Sequence, residues 1–431
     1  MSSELVGILG LVVLMVLLFA NMWIALSMAL VGFLGYFYLV GPGPGFQVLT
    51  TVPFYTIAFY PVSCVPLFLL MGVIVSNCGV SGDLYNTAYK WVGQLRGGLA
   101  MATILACAGF AAISGSSTAG AVTMGKVALP EMKKYQYDDS MSTAAVASGG
   151  TLGILIPPSL GFMMYGILTE QPISVLFMAG ILPGILLTLL FVLTVMLITA
   201  IRPQAGPAGP RSSFREKMVS LKNVWPMVIL FLLVIGGIYA GIFTATEAGA
   251  VGAFGAIVIT FAMRRLNGKN FRDAVLETAT TTAMVLFLMV GAFIFMKFLA
   301  VSKLPFMLAN LITGFEVNRY ITFAVIIIIY IILGMFLDIY SAITLTIPII
   351  YPVIIALGFD PIWYGVIMVL VMEMGLITPP VGLNVFALGG VTDVPMGTIF
   401  KGVWWFVGSI LLLVVILTVF PVVATFIPDM M

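Results

Sequence analysis

The sequence predicts an all-α polytopic membrane protein built as an inverted repeat, with two re-entrant helical hairpins and two broken helices. Three observations predict it. Hydrophobic residues fill 62% of the 431 positions and charged residues 8%, where a soluble chain carries roughly a quarter charged residues. Two long apolar segments are each interrupted by Pro-Pro in matching settings, GILIPP from Gly153 and GLITPP from Gly375. Related segments also recur in the same order at nearly constant offset. VGFLGY at Val31 pairs with VGAFGA at Val251, LFLLMG at Leu67 with LFLMVG at Leu286, and Gly153 with Gly375, at offsets of 220, 219 and 222 residues. Low-complexity coincidence is the competing explanation, and three ordered matches at one offset are hard to obtain that way.

Taken in order, apolar runs at 5–19 and 23–40 predict two spans, with GPGPG (41–45) as a turn. A third span is expected at 61–78, and 81–96 alternates polar and apolar faces at helical spacing, as an interfacial helix does. The stretch 97–134 is broken at ISGSSTAG, Ile113 to Gly120. Each half is about 15 residues, short of the roughly 20 needed to cross, so a hairpin that enters and returns is expected. A span at 139–169 is broken at Pro157–Pro158, and another occupies 173–201. Proline removes a backbone donor and clashes with the preceding turn. The freed N–H and C=O groups must be buried in protein or line a polar cavity.

Residues 202–223, Pro-rich and basic, read as the linker between repeats 1–201 and 224–431. Spans follow at 225–242, 246–263 and 281–300, then an amphipathic piece at 303–318. A second hairpin is expected over 320–357, interrupted at GMFLDIYS, Gly334 to Ser341. A second broken helix occupies 361–391 and a last span 403–428.

Lysine and arginine placement gives the orientation. With the linker in the cytoplasm, Lys90, Arg96, Lys133, Lys134, Arg264, Arg265, Lys269, Arg272 and Lys401 fall on the same side, and only Lys297, Lys303 and Arg319 outside. Each half then contributes five true spans, an odd number, so the repeats are inverted and both termini are expected on the outer, non-cytoplasmic side.

Composition also excludes classes of function. The net charge is +2, and the basic residues sit in a few loops, which leaves no nucleic-acid footprint. With no histidine in the chain, a histidine proton relay or metal site is excluded. Cys64, Cys78 and Cys107 lie in apolar surroundings without a CxxC pair, so neither a disulfide framework nor a metal site is expected. The first apolar run follows Glu4 rather than a basic region and runs on into a second, so no cleavable signal is expected.

Broken helices expose orphan carbonyls that can coordinate a small cation and orphan N–H groups that can hold an anion. Ser114, Ser116, Ser117 and Thr118 offer hydroxyls beside the carbonyls around Gly149, Gly150 and Gly153. Gly334, Asp338, Ser341 and Thr378 offer the equivalent set in the second half. Such residues also serve close helix packing, the role assigned to Gly120 and Gly125. Asp338, a carboxylate inside an apolar segment, is a functional candidate; its alternative is a hydrated or helix-capping role. Glu373 is similarly suggestive. Glu247 and Lys297 lie near span ends, where snorkelling or pairing is expected. Lys126 either attracts an anion or forms a structural ion pair.

Together ISGSSTAG, GILIPPS, GMFLD and GLITPPVGLN resemble the large membrane subunit of tripartite ATP-independent periplasmic (TRAP) transporters, along nearly the whole chain. The divalent anion–sodium symporters are similar in architecture, but they typically carry Ser-Asn-Thr at both tips. This chain has Ser116-Ser117-Thr118 at one tip and no such triplet at the other. The TRAP resemblance implies uptake of a carboxylate-bearing solute, such as a C4-dicarboxylate or a sialic acid, driven by a sodium gradient. It implies an elevator-type transporter in the bacterial inner membrane, with hairpins and broken helices sliding against a scaffold and the pieces at 81–96 and 303–318 as connecting arms. It implies two partners, a small four-span membrane subunit and a periplasmic substrate-binding protein. No four-span block precedes Met1, so the small subunit is expected as a separate chain.

Carried over by motif, co-transported sodium would occupy one site at Gly334, Gly375, Thr378 and Val381, with Asp338 nearby. A second would lie at Ser116, Ser117, Gly153 and the carbonyls around Pro157. Ile156 stands where Thr378 has its hydroxyl, so that site needs another ligand, and Ser159 is a candidate. The substrate would lie between the tips, against Ser117, Thr118, Tyr340 and Asn384. A self-sufficient sodium-coupled carboxylate symporter shares this physics and differs in needing no soluble protein. A membrane-embedded enzyme would need a nucleophile with its base, or a metal cluster, at midplane depth, and the chain suggests neither. A passive channel suits paired hairpins in an inverted repeat less well than alternating access does.

Overall fold

The computed structural model describes residues 1–314 and 318–431, and their secondary structure is entirely helical. The first half runs α1 (Ser3–Phe19), α2 (Ile24–Val40), α3 (Pro42–Ala58), α4 (Cys64–Asn77) and α5 (Val80–Val92). Then come α6 (Gly98–Ser114) and α7 (Ser117–Lys134), the interrupted pair α8 (Asp139–Leu155) and α9 (Leu160–Thr169), and α10 (Ile173–Ile201). The second half runs α11 (Phe214–Phe231), a π-helical turn, α12 (Gly237–Tyr239), α13 (Ala245–Ala262), α14 (Gly268–Ser302) and α15 (Leu304–Gly314). It continues with α16 (Arg319–Gly334), α17 (Ile339–Ala356), the interrupted pair α18 (Pro361–Gly375) and α19 (Leu383–Gly389), α20 (Met396–Val419) and α21 (Val422–Thr425). Among the described residues, eight helical segments are long and apolar enough to cross a membrane.

A short tip separates α6 from α7 and another separates α16 from α17, and helices end at both Pro-Pro sites. Four boundaries differ from the sequence reading. GPGPG is not only a turn: Gly41, at φ +107°, turns the chain, and Pro42 starts α3 at the first helical position, where proline's missing N–H costs nothing. The linker is shorter than 202–223, and the span after it starts at Phe214 rather than 225. The reason is a capping box, in which Ser213 accepts from the Glu216 N–H while Glu216 accepts from the Ser213 N–H. The span placed at 281–300 belongs to a 35-residue helix starting at Gly268 behind the Asn267 cap. The last span lies at Met396–Val419, earlier than 403–428, and ends before Pro421. The amphipathic piece expected at 303–318 is helical over Leu304–Gly314, and residues 315–317 lie outside the described residues.

Two ties organise the surroundings of the first hairpin. Helix α5 is held to the second half by an Asp83–Arg265 ion pair, a Lys90–Glu216 pair at 3.7 Å and the Thr87 hydroxyl donating to the Ser220 carbonyl at 3.0 Å. The linker folds back across the base of the hairpin. The Gly97 N–H donates to the Gly206 carbonyl at 2.8 Å and the Asp138 N–H to the Ala205 carbonyl at 3.0 Å. The Gly209 N–H donates to the Gly93 carbonyl at 2.9 Å.

The interrupted elements form the interior. α7 packs on α19, α8 on α18 and α19, and α9 on α17. Of the most apolar 18 residues of the α8–α9 segment 94% are buried, whereas for α10 the share is 44%. The unwound backbone is therefore covered by protein, as the absence of water in hydrocarbon requires. Outside this body, α2 and α14 approach closely through glycine: a Cβ on Gly291 would lie 2.3 Å from the Ala25 carbonyl oxygen, and one on Gly32 2.7 Å from the Phe295 Cα. Small residues at such crossings let backbones meet.

Gly291→Ala is expected to destabilise the protein by about 1–3 kcal/mol through overpacking against backbone. Gly408→Ala, which meets nothing within 4 Å, serves as the neutral control. Thermal unfolding of the detergent-solubilised variants checks this, and an undiminished midpoint for Gly291→Ala would show that the α2–α14 contact is not tight.

Candidate cation and substrate site

The first tip is made by two residues between α6 and α7. Gly115 turns the chain at φ +60°, and Ser116 caps α7, its hydroxyl accepting from the Ala119 N–H at 3.4 Å. The tip backbone lies directly on the first broken helix. A Cβ on Gly153 would be 2.6 Å from the Ser116 carbonyl oxygen, one on Gly150 2.9 Å from that of Ser117, and one on Gly115 3.0 Å from that of Pro158. Glycine is what permits these approaches. Pro157 and Pro158 supply no donor, and the Pro157–Pro158 peptide is cis. Ser159 is fully buried and caps α9, accepting from the Phe162 N–H at 3.3 Å. Ser114 and Ser148, both buried, have hydroxyls with no hydrogen-bond partner among the described residues.

The second tip repeats the approach with different side chains. Gly334 ends α16 and lies on Gly375 at the end of α18, where a Cβ would fall within 2.4–2.7 Å of the Gly334 backbone. Beyond Gly375 the chain turns, with the Thr378 N–H donating to the Gly375 carbonyl at 3.1 Å and the buried Thr378 hydroxyl donating to the Met374 carbonyl. Pro379–Pro380 is cis, Val381 is half-buried, and Gly382 at φ +57° starts α19. The Asn384 N–H returns across the break to the Leu376 carbonyl at 3.0 Å.

Asp338 takes the capping role. Its Oδ1 accepts from the Tyr340 and Ser341 N–H groups at 3.0 Å and its Oδ2 from the Ser341 hydroxyl at 2.5 Å. Tyr340, half-buried in the first turn of α17, forms no direct hydrogen bond with Ser117, Thr118 or Asn384 among the described residues. Glu247 also caps a helix, pairing with Thr244 at the start of α13. Lys126 is exposed and lines a cleft of about 480 Å³ with Lys133, Asp139 and Asp393.

Two side-chain hydrogen bonds join the start of α7 to the second broken helix. The buried Ser117 hydroxyl donates to Glu373 Oε1 at 2.5 Å, and the Thr118 hydroxyl donates to Asn384 Oδ1 at 3.2 Å. Glu373 and Asn384 are both fully buried. The sequence marked Glu373 only as a carboxylate in an apolar run. Its place beneath the opposite tip carries no local signal. The structure thus gathers Ser116, Ser117, Gly153 and Pro157 at one tip, and Gly334, Gly375 and Thr378 at the other. Each cluster is built of backbone carbonyls and hydroxyls, the donor set that suits a hard monovalent cation. Among the described residues, no group of three or more Asp, Glu, Cys or His residues is placed to hold a metal ion.

Comparison with known proteins places the chain in a family. Residues 11–423 match the family described as the tripartite ATP-independent periplasmic transporter, DctM component. The chain is 36% identical to the C4-dicarboxylate TRAP transporter large permease protein DctM of Pseudomonas aeruginosa, over 87% of this chain and 88% of that protein. It is 30% identical to the sialic acid TRAP transporter large permease protein SiaM of Vibrio cholerae, over 85% of this chain and 86% of that protein. The crystal structure of the Alcanivorax borkumensis YdaH transporter superposes with a TM-score of 0.66 over 90% of each chain at 17% identity, a likeness of fold. The chain belongs to the family of large membrane permease subunits, the DctM components, of the tripartite ATP-independent periplasmic transporters.

Proposed function

We propose that this chain is the transporting subunit of a sodium-gradient-driven importer of a carboxylate-bearing organic solute, working by an elevator motion. The observation that carries the reading is the paired backbone approach of Ser116 to Gly153 and of Gly334 to Gly375. Each approach sets the backbone of a hairpin tip against a glycine of a broken helix. A sodium ion at each pair draws on the backbone oxygens there, with Thr378 and Val381 completing one site and Ser117, Pro157 and Ser159 the other. Neutral ligands bind the ion without a fixed full charge at membrane depth, which would be costly.

The substrate carboxylate lies between the tips, where Ser117, Thr118, Tyr340 and Asn384 supply hydroxyl and amide groups. The adjoining cations offset its charge, so that ions and substrate move as a nearly neutral load. The moving body comprises α6–α9 and α16–α19, inverted relative to each other across the membrane. The other long helices form the scaffold, with α5 and α15 as arms. The linker faces the cytoplasm and both termini the periplasm. A small four-span membrane subunit covers the exposed scaffold face, and a periplasmic binding protein delivers the substrate. The relatives named for C4-dicarboxylate and sialic acid transport support an organic acid as cargo.

Uptake of a labelled carboxylate into proteoliposomes tests this, with the small subunit present and the soluble protein and sodium gradient each supplied or withheld. Uptake is expected only with both. Uptake without the soluble protein would replace the tripartite reading with a self-sufficient symporter, and uptake indifferent to sodium would remove the ion sites. In the same assay Gly375→Ala and Gly153→Ala are each expected to raise the half-saturating sodium concentration about tenfold or more, the effect of about 1.4 kcal/mol. The added methyl would push tip and broken helix apart. A sodium curve unmoved by either substitution would show that these contacts do not build the ion sites.

A further inference from the structure

Glu373 has no part in the reading above. It lies two residues before Gly375 in α18, and the Ser117 hydroxyl donates to its Oε1 at 2.5 Å. Its other oxygen, Oε2, has no hydrogen-bond partner among the described residues, and the same holds for Asn384 Nδ2. Asn384 lies on the far side of the second Pro-Pro break and accepts from the Thr118 hydroxyl at 3.2 Å. The first two residues of α7, directly after the first tip, are therefore held by one residue on each side of the second break. The partners are 256 and 266 residues apart in sequence. All the other tip contacts described above stay within a half, Ser116 with Gly153, Gly115 with Pro158 and Gly334 with Gly375.

We propose that Glu373 and Asn384 are positioning residues that tether the first hairpin tip to the second broken helix, so that cation binding at the second tip is felt at the first. The proposal rests on the sodium-coupled reading above. The turn that carries Thr378 is fastened to Gly375 and Met374 on one side and, through Leu376, to Asn384 on the other. A cation drawing on the oxygens of that turn moves Glu373 and Asn384 with it. The Ser117 hydroxyl is held on Glu373 Oε1 and the Thr118 hydroxyl on Asn384 Oδ1, and hydrogen bonds are directional, so Ser117 and Thr118 follow. The Ser116 and Ser117 carbonyls face Gly153 and Gly150, so the shift reaches the oxygens of the first site. An aliphatic side chain at 373 could fill the space but could not direct the Ser117 hydroxyl.

The test measures sodium dependence of uptake by the reconstituted complex for wild type, Glu373→Ala and Glu373→Gln, normalised to folded protein by size exclusion. Hydrogen exchange over residues 113–120, with and without sodium, is measured on the same proteins. Glu373→Ala is expected to raise half-saturating sodium about tenfold and lower the Hill slope toward one, while Glu373→Gln, which keeps an acceptor for Ser117, stays within about threefold. Exchange at the first tip is expected to quicken in the alanine variant only. A Glu373→Ala protein that loses stability or turnover with an unmoved sodium curve and unmoved tip exchange overturns the proposal. If wild-type uptake itself ignores sodium, the coupling falls with the functional reading. Exchange then decides the tether alone: faster exchange in Glu373→Ala supports it, and unchanged exchange refutes it.

Discussion

A broken helix in a membrane must hide its unpaired backbone, and this requirement shapes the molecule. Pro157–Pro158 and Pro379–Pro380 remove donors in the middle of apolar helices, and the carbonyls freed there cannot face hydrocarbon. The chain answers by laying a hairpin tip on each break and by using glycine wherever the two backbones meet. Burial of α8–α9 and of α18 follows from the same need, because lipid contact at the break would leave polar groups unpaired. Shielding the breaks also concentrates carbonyl and hydroxyl oxygens at two points, so the stabilising arrangement and the candidate site are the same atoms.

The rest of the fold restrains that body from outside. α5 carries the polar contacts Asp83–Arg265, Lys90–Glu216 and Thr87–Ser220, which fix it to the second half. The linker is more than a connection. Its backbone pairs with Gly93, Gly97 and Asp138 at the base of the first hairpin and the start of α8. The exposed Lys90–Glu216 pair contributes little stability by itself, but together these α5 contacts define where the amphipathic helix lies. The close α2–α14 crossing, built on Gly32 and Gly291, is a seam without side chains between the backbones.

Much of this was legible in the sequence where the signal is local. Proline breaks, glycine tips and apolar run lengths act within a few residues, and they located the four places where the long apolar stretches are interrupted. Boundaries were misread where two local signals competed. Pro-rich, basic composition said linker up to residue 223, but the Ser213–Glu216 capping box starts α11 inside it. GPGPG said turn, but Pro42 fits the first position of a helix as well. Asp338 carried two readings, ligand and cap, and the free N–H groups of Tyr340 and Ser341 drew it to the cap.

The sequence by itself determined the class of protein, the places where helices must break and the oxygen-rich character of the residues around them. Backbone chemistry fixes these without reference to distant parts of the chain. Only the tertiary structure decided which break each tip covers, and that Ser117 and Thr118 reach across to Glu373 and Asn384 in the other half. Such a pairing joins residues 256 and 266 positions apart. It depends on how α7, α18 and α19 pack, and no local pattern in the chain encodes that packing.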